Sequence, residues 1–178
     1  YMFNMCESLE SLDLSSWDTS NATTFLWMFH SCYKLKDLNL SGWDTSSVTN
    51  MNSMFKNCKS ITELDISSFD TSNVTNMNSM FFNCIVLSNL YVGKGWNIEN
   101  VKDGNMAFNC CDALPDFDIN NSETNISFAD KYVKPESEKP QPEAKTYTVT
   151  YEFIGDIIPD GVTAIGGAVF RGCTSLAT

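Results

Sequence analysis

The stretch that decides the fold is written twice. Residues 44–58 read DTSSVTNMNSMFKNC, and residues 70–84 read DTSNVTNMNSMFFNC. The two stretches lie 26 residues apart and differ at two positions. Self-similarity at a fixed period of this length indicates a repeat architecture, in which each unit buries its apolar face against its neighbours. We therefore predict a stack of structurally equivalent units.

Single residue types recur at the same step along the first part of the chain. The clearest columns are Phe3, Phe29, Phe55 and Phe81; Cys6, Cys32, Cys58 and Cys84; Leu12, Leu38, Leu64 and Leu90; and Trp17, Trp43 and Phe69. After the loop VGKGW at residues 92–96 the step becomes 27, because this loop carries one extra residue. The pattern predicts units near residues 1–27, 28–53, 54–79, 80–106 and 107–120, of which the last is degenerate.

Each unit has two halves with different periodicity. Residues 64–66 (LDI) alternate between apolar and polar, as a half-buried strand does. In residues 74–81 the apolar positions fall on one face of a short helix or of helical turns. Stacked strands would form one parallel sheet. The predicted fold is therefore an α/β solenoid, with one parallel sheet and short helical turns on the opposite side.

The whole unit, MFxxCxxLxxLDLSxWDTSxVTxM, resembles the repeat of BspA-like leucine-rich-repeat surface proteins, which have a related lipoprotein form in mycoplasmas. Its strand half is similar to the leucine-rich repeat LxxLxL, although Trp17, Trp43 or Phe69 stands where that repeat has Asn or Cys. The resemblance covers residues 1–120 and implies a leucine-rich-repeat solenoid at the extracellular cell surface. It implies adhesion to host matrix proteins, host cell-surface proteins or other bacteria, and we expect neither enzyme activity nor a cofactor.

The remaining residues are predicted to form two further segments. Residues 121–145 are rich in Glu, Lys and Ser and include Pro135, Pro140 and Pro142, which indicates an acidic linker. Residues 146–155 (TYTVTYEFIG) alternate as a strand does, and this strand either opens a small β module or pairs with the segment that follows. Residues 158–176 resemble a sister repeat of the same superfamily. Its apolar positions are Val162, Ile165, Phe170, Cys173 and Leu176. We therefore predict a strand and a truncated BspA-type repeat over residues 146–178.

The charge of the chain restricts its partners. The net charge is −11, so the chain repels phosphate backbones and anionic membrane surfaces. No stretch approaches 18 consecutive apolar residues, so we expect no membrane insertion in these residues. Basic proteins, basic segments and cations remain as partners, whereas nucleic acids do not.

The outward positions of the predicted strands form a candidate binding face. They fall in two columns: Ser11, Asp37, Glu63, Asn89 and Asp116, then Asp13, Asn39, Asp65, Tyr91 and Asp118. Six of these ten residues are acidic, and solenoids use such extended faces for binding. The alternative is a solvated face that keeps the stack soluble. In that case the array would be a structural spacer or stalk that presents another adhesive domain.

Asp18, Asp44 and Asp70 form a second column of carboxylates, each followed by Thr and Ser. Such residues cap the first N–H groups of a helical turn. A weaker alternative is a ladder of calcium ligands, because calcium prefers several oxygen ligands. The spacing matches neither the EF-hand loop nor the glycine-rich nonapeptide repeat, so we predict capping and no metal site.

The cysteine and methionine columns are predicted to belong to the core. A zinc site needs four converging ligands, and thiols at steps of 26 and 27 do not converge. We therefore expect buried free thiols that pack as small apolar residues, with Cys111 in the core and Cys110 outside the column. His30 is the single histidine, and no Ser/His/Asp arrangement surrounds it in sequence.

The two ends of the repeat array lack capping sequence. Terminal repeats of a solenoid normally need such caps, and residues 1–3 (YMF) leave the apolar edge of the first unit uncovered. We therefore expect the chain to be marginally stable. Extending it by one repeat at each end should raise its melting temperature.

Overall fold

The computed structural model describes residues 1–115, together with the backbone of residues 133–134. The chain divides into two compact units, Tyr1–Lys139 and Pro140–Thr178. The second unit lies outside the described residues. The strand predicted at 146–155 and the repeat predicted at 158–176 lie outside them with it.

Each of the first four repeats contains one short parallel strand, and a fifth described strand lies beyond the repeats. They are β1 (Ser11–Asp13), β2 (Asp37–Asn39), β3 (Glu63–Ile66), β4 (Asn89–Val92) and β5 (Val133–Lys134). In the first pair Leu12 lies opposite Leu38, and in the second pair Leu64 lies opposite Leu90. Both registers equal the 26-residue step of the sequence. The central Leu of each strand faces inward, so the polar residues on either side of it face outward.

The described strands form two sheets, whereas the sequence predicted one. β1 pairs with β2, and β3, β4 and β5 form the second sheet. Strands of three or four residues contribute few ladder bonds, and side chains join the units between β2 and β3. Ser60 Oγ donates to the carbonyl of Tyr33 at 2.7 Å, and Ser68 Oγ donates to that of Leu40 at 3.3 Å.

Strand β5 comes from a part of the chain that was predicted to be linker. Val133 lies opposite Leu90, and Lys134 lies opposite Tyr91. These are the partners that the repeat pattern assigns to residues 117 and 118, which lie outside the described residues. The backbone of residues 133–134 thus extends the sheet within the segment predicted to be a linker. The rest of the 121–145 linker is likewise outside the described residues.

The side opposite the strands consists of successive turns, and residues 1–115 contain no helix. Alternate N–H groups cross to the next unit: those of Met51, Ser53, Phe55 and Asn57 donate to the carbonyls of residues 76, 78, 80 and 82 at 2.8–2.9 Å. Of the N–H groups between them, those of Met54 and Lys56 bond three residues back within their own unit, to the carbonyls of Met51 and Ser53 at 3.2 and 3.3 Å. An α-helix needs every N–H to bond four residues back, so this division of bonds rules it out.

Two positions in each unit hold the backbone in the left-handed region. One column is Trp27, Ser53, Ser79 and Met106, and the other is Met5, Ser31, Asn57, Asn83 and Cys110, all with φ between 52° and 64°. Asn tolerates this conformation better than most residues do. The two left-handed positions of a repeat lie four residues apart, as Ser53 and Asn57 do, and both fall in turns. They thereby keep alternate N–H groups pointing at the next unit.

Stacked aromatic rings run through the core. The rings of Phe3, Phe29, Phe55, Phe81 and Phe108 stack with centroids 5.0–5.7 Å apart and planes within 13° of parallel. From Phe29 onward these side chains are fully buried. Trp43 stacks on Phe69 in a second column at 6.3 Å. The four residues Cys32, Cys58, Cys84 and Cys111 are buried free thiols beside the Phe column. Cys6 and Cys110 are only partly buried.

The extra residue of the fourth unit lies in a loop that passes very close to the third unit. A Cβ atom on Gly93 would stand 2.0 Å from the carbonyl oxygen of Ser67, and one on Gly95 would stand 2.6 Å from that of Phe69. Only glycine fits at such distances. The carbonyl of Gly95 also accepts the N–H of Thr71 at 2.9 Å. The insertion is thus tied to its neighbour by backbone contact.

Candidate functional site

The strand face is the set of outward side chains on β1 to β4. Its members are Ser11, Asp13, Asp37, Asn39, Glu63, Asp65, Asn89 and Tyr91. The register places Ser11 beside Asp37 and Asp13 beside Asn39, and it places Glu63 beside Asn89 and Asp65 beside Tyr91. Asp13, Asp37, Asn39 and Glu63 are exposed, and Asp65 and Asn89 are half-buried. These six residues are thus at least partly exposed in the structure.

The second column of the strand face also closes the turn that ends each strand. Asp13 Oδ1 accepts the N–H of Ser15 at 2.9 Å, Asn39 Oδ1 accepts that of Ser41 at 3.1 Å, and Asp65 Oδ1 accepts that of Ser67 at 3.0 Å. The backbone hydrogen bond from Ser15 lowers the pKa of Asp13. A side chain bound in this way has a fixed direction. Asp13, Asn39 and Asp65 thus have a structural role that the alternation pattern did not indicate.

The first column is less constrained by the fold. Glu63 Oε1 accepts the side-chain amide of Asn89 at 3.1 Å. Beside Asp37, Lys36 Nζ forms an exposed ion pair with Glu10 at 3.2 Å. Exposed pairs of this kind contribute little to stability. Asp37 and Glu63 are therefore the carboxylates of the strand face that are exposed and do not close a turn.

One predicted member of the face is not accessible. Tyr91 lies in register with Asp65, yet only 4% of its surface is exposed. The prediction that Tyr91 belongs to an exposed binding surface is therefore wrong. Asp116 and Asp118, the two remaining predicted members, lie outside the described residues.

Asp18, Asp44 and Asp70 each cap a turn of their own unit. Oδ1 of Asp18 and Oδ1 of Asp44 each accept both the N–H and the hydroxyl of the Ser two residues on, and Oδ1 of Asp70 accepts the N–H of Ser72 at 2.9 Å. Hydrogen bonds from that serine lower the pKa of all three carboxyls. Among residues 1–115, no group of three or more His, Cys, Asp or Glu side chains is placed to hold a metal ion. The three aspartates act as turn caps here.

The threonines that follow these aspartates link one unit to the next. Thr45 Oγ1 donates to the carbonyl of Asp70 at 2.7 Å and accepts its N–H at 2.8 Å. Thr71 makes the same two bonds to Asn97 at 2.6 and 2.7 Å. Both threonines are almost fully buried. The recurrence of Thr after Asp was visible in the sequence, but only the stacking shows that the hydroxyl bridges two units.

A column of amides was missed altogether. Asn50 Oδ1 accepts the N–H of Asn52 at 2.9 Å, and Asn76 Oδ1 accepts that of Asn78 at 2.9 Å. Asp103 has the same place in the next unit, and its carboxylate accepts the amide of Asn78 at 3.1 Å. The signal was the repeated TNMN in both stretches that decide the fold. This column closes turns.

His30 is paired with an amide. Its Nδ1 lies 2.9 Å from Asn4 Oδ1, and its ring stacks on Trp27 at 5.5 Å. Burial lowers its pKa, and the nearby Lys56 adds to this effect. A catalytic histidine needs a nucleophile on one side and an orienting group on the other. Within the described residues, the hydrogen-bond partner of His30 is the amide of Asn4, which can orient the ring but is not a nucleophile.

The comparison with known families agrees with the repeat pattern. A family model described as "Mycoplasma protein of unknown function, DUF285" matches residues 1–122. The chain belongs to this family. No curated protein and no solved structure matches the chain. The match to the DUF285 family covers all of the described repeats and therefore the whole strand face as far as Tyr91. Within residues 1–115, no helix is long and apolar enough to span a bilayer.

Proposed function

We propose that this chain is a non-enzymatic binding module of the extracellular cell surface, built as a BspA-like leucine-rich-repeat solenoid. The proposal is supported by the parallel stacking of units at the 26-residue step and by membership of the DUF285 family. The resemblance of the repeat to BspA-like surface proteins supplies the adhesive role. The partners would be proteins, namely host matrix proteins, host cell-surface proteins or proteins of other bacteria.

The observation that carries the proposal is the register of the strand face. Asp13, Asp37 and Glu63 are exposed on neighbouring strands, with Asp65 half-exposed among them. Adjacent paired strands lie about 4.8 Å apart, so the backbone fixes where the carboxylates of paired strands stand, as it does for Asp13 on β1 and Asp37 on β2. Fixed charges on a rigid surface steer and orient an oppositely charged partner. The partner would therefore present a basic surface.

The test reverses the charge of Asp37 and Glu63, the two exposed carboxylates of the strand face that do not close a turn. A variant with Asp37→Lys and Glu63→Lys changes the strand face without removing the caps at Ser15, Ser41 and Ser67. A matched control with Glu7→Lys and Glu99→Lys makes the same charge change at exposed positions off the strands. Binding to immobilised matrix glycoproteins and to bacterial cells is measured at low and at high salt.

The expected result is salt-sensitive binding that the strand-face variant loses and the control retains. Interactions between exposed charges weaken as ionic strength rises. High salt should therefore reduce the binding of the unaltered chain, as charge reversal on the strand face does at low salt. Equal binding by the variant, the control and the unaltered chain would remove the strand face from consideration. Both variants should unfold at the same denaturant concentration as the parent, which separates lost binding from lost folding.

A spacer or stalk is the second candidate function. The observation that favours it is the structural duty of the strand face: three members close turns, and Tyr91 is buried. A spacer would tolerate charge reversal anywhere on its strands and would bind none of the tested surfaces. The same pair of variants therefore distinguishes the two functions.

A further inference from the structure

Lysine side chains gather at one corner of the repeat array. Residues 1–115 contain six lysines, and three of them lie on the turns that lead from the cysteine column into β2 and β3. We call these three the basic corner: Lys34 in the second unit, and Lys56 and Lys59 in the third. The strand face and the capping aspartates occupy other positions of the repeat. The chain therefore has a local positive surface, although its net charge is −11.

The lysines of the basic corner are not neutralised by ion pairs within residues 1–115. The ion pair found there joins Lys36 to Glu10, and no described carboxylate pairs with the basic corner. Burial and then the charge of Lys56 lower the pKa of His30, which stands one repeat step before Lys56. The positive potential of the corner thus extends to the neighbouring unit.

Two of the three lysines are held over aromatic rings of adjacent units. Lys56 Nζ lies 4.6 Å from the ring centroid of Phe82 in the fourth unit. Lys59 Nζ lies 5.2 Å from that of Tyr33 in the second unit. A cation is attracted to the face of such a ring, so both ammonium groups have a preferred position. Less side-chain freedom is then lost when an anion binds them.

The basic corner offers a ligand side chains rather than backbone groups. The N–H of Ser31 donates to the carbonyl of Lys56 at 2.8 Å, and that of Asn57 donates to the carbonyl of Phe82 at 2.8 Å. A peptide that binds by strand addition needs unpaired backbone groups, and here the backbone is already paired between units. Beside Lys56, the amide of Asn57 donates to Ser31 Oγ at 3.2 Å and accepts from the amide of Asn83 at 2.8 Å.

Apolar side chains continue this surface on the fourth unit. Ile85 and Val86 are 39% and 36% exposed, and they stand one repeat step after Lys59 and Ser60. A fitting ligand therefore combines negative groups with uncharged surface between them. A dense polyanion does not, because the acidic chain as a whole repels it. Sugar rings that carry carboxylates at intervals have both features, since their C–H faces pack on apolar side chains and their hydroxyls bond to amides.

We propose that the basic corner binds an acidic polysaccharide in which carboxylated sugars alternate with uncharged ones. Its carboxylates would bind the three lysines, and its hydroxyls would bind the amides of Asn57 and Asn83. Its sugar rings would cover Ile85 and Val86. This inference goes beyond the proposed function, because it concerns the turns and not the strand face. Failure of one therefore leaves the other standing.

The test uses hyaluronan, a polysaccharide with this alternation, as the immobilised probe for the full chain. The corner variant carries Lys34→Gln, Lys56→Gln and Lys59→Gln. The matched control makes the same change in net charge at three exposed lysines off the corner: Lys36→Gln, Lys94→Gln and Lys102→Gln. Uncharged dextran and polyglutamate are added as competitors, and binding is measured at low and at high salt.

We expect the unaltered chain and the control to bind hyaluronan equally at low salt, and the corner variant to bind several-fold more weakly. High salt should weaken binding, because it screens exposed charges. Dextran should not compete, and polyglutamate should compete less well than free hyaluronan, because it has no sugar rings.

Three outcomes would overturn the proposal. The unaltered chain does not bind hyaluronan, the control loses as much binding as the corner variant, or polyglutamate displaces hyaluronan as well as free hyaluronan does. The last result would assign the corner to acidic proteins instead. The Lys34→Gln change alone removes no ring contact, so it tests the site even if the corner variant unfolds. Unchanged binding by that single variant would also count against the proposal.

Discussion

The Sγ atom of Cys58 donates a hydrogen bond to the carbonyl oxygen of Phe29 at 3.2 Å. The ring of the same Phe29 stacks on Phe55, so one residue is bound to the next unit through both its backbone and its side chain. Cys84 makes the equivalent bond to Phe55 at 3.1 Å. The cysteine column therefore acts as a line of hydrogen-bond donors between units, in addition to packing as small apolar residues.

The buried thiols should make stability fall at alkaline pH. Burial raises the pKa of Cys111 to about 12 from an ordinary value of 9.0. A thiol with a raised native pKa stabilises the fold fully below pH 9, and its contribution is lost as pH rises from 9 towards 12. Within that window each such thiol should lower the free energy of unfolding by about 1.4 kcal/mol per pH unit. Urea unfolding at several pH values, in reductant, measures this.

A Cys111→Ala variant serves as the control for the alkaline effect. It should lose stability less steeply above pH 9, because it has one buried thiol fewer to ionise on unfolding. A free energy of unfolding that stays level between pH 8 and 10.5 would contradict the expected dependence.

Removing one ring from the Phe column should weaken the whole stack. Phe55 is fully buried between Phe29 and Phe81, at 5.7 Å from each. Phe55→Ala removes both contacts and leaves a cavity, which costs about 3–5 kcal/mol of stability. Ile85→Ala is the comparison, because Ile85 is 39% exposed and its truncation should cost far less. Equal losses in urea unfolding would show that the column is not the centre of the core.

The hydroxyl of Thr45 should matter independently of its volume. Thr45→Val keeps the shape of the side chain but removes the partner of both backbone groups of Asp70, at a cost of about 1–3 kcal/mol. Thr49→Val is the matched control, since Thr49 is exposed and its hydroxyl makes one weak bond to Thr23 at 3.4 Å. Thermal unfolding of the two variants should differ clearly. Identical melting temperatures would argue against a bridging role.

The glycine of the inserted loop should not accept a side chain. In Gly93→Ala the new methyl group would meet the backbone oxygen of Ser67, which has no freedom to rotate away. The third and fourth units would have to separate locally, and the variant should unfold at a lower urea concentration. Lys94→Ala, at an exposed position in the same loop, should leave the midpoint almost unchanged. An unchanged midpoint for Gly93→Ala would mean that the two units approach less closely than described.

The sequence by itself determined the step of the stack and which positions lie inside it. Phe29, Phe55 and Phe81 recur at the 26-residue step, so they take equivalent places in successive units. Leu12 and Leu38 point inward, because each unit buries its apolar side chains in the same way. The outward direction of Asp37 and Glu63 followed from the same alternation. A periodic pattern carries this information because it records only whether a position faces the core or water.

The partners of polar groups were decided only by the tertiary structure. The turns after each strand replaced helical turns because alternate N–H groups find carbonyls about 25 residues away, and no local pattern reveals such a partner. The alternation predicts that Asp13, Asp65 and Tyr91 point outward, yet the two aspartates also close turns and Tyr91 is buried. Val133 joined the sheet from outside the predicted array. Hydrogen bonds are directional and short-ranged, so they depend on the positions of both groups in space, which the repeat pattern alone does not fix.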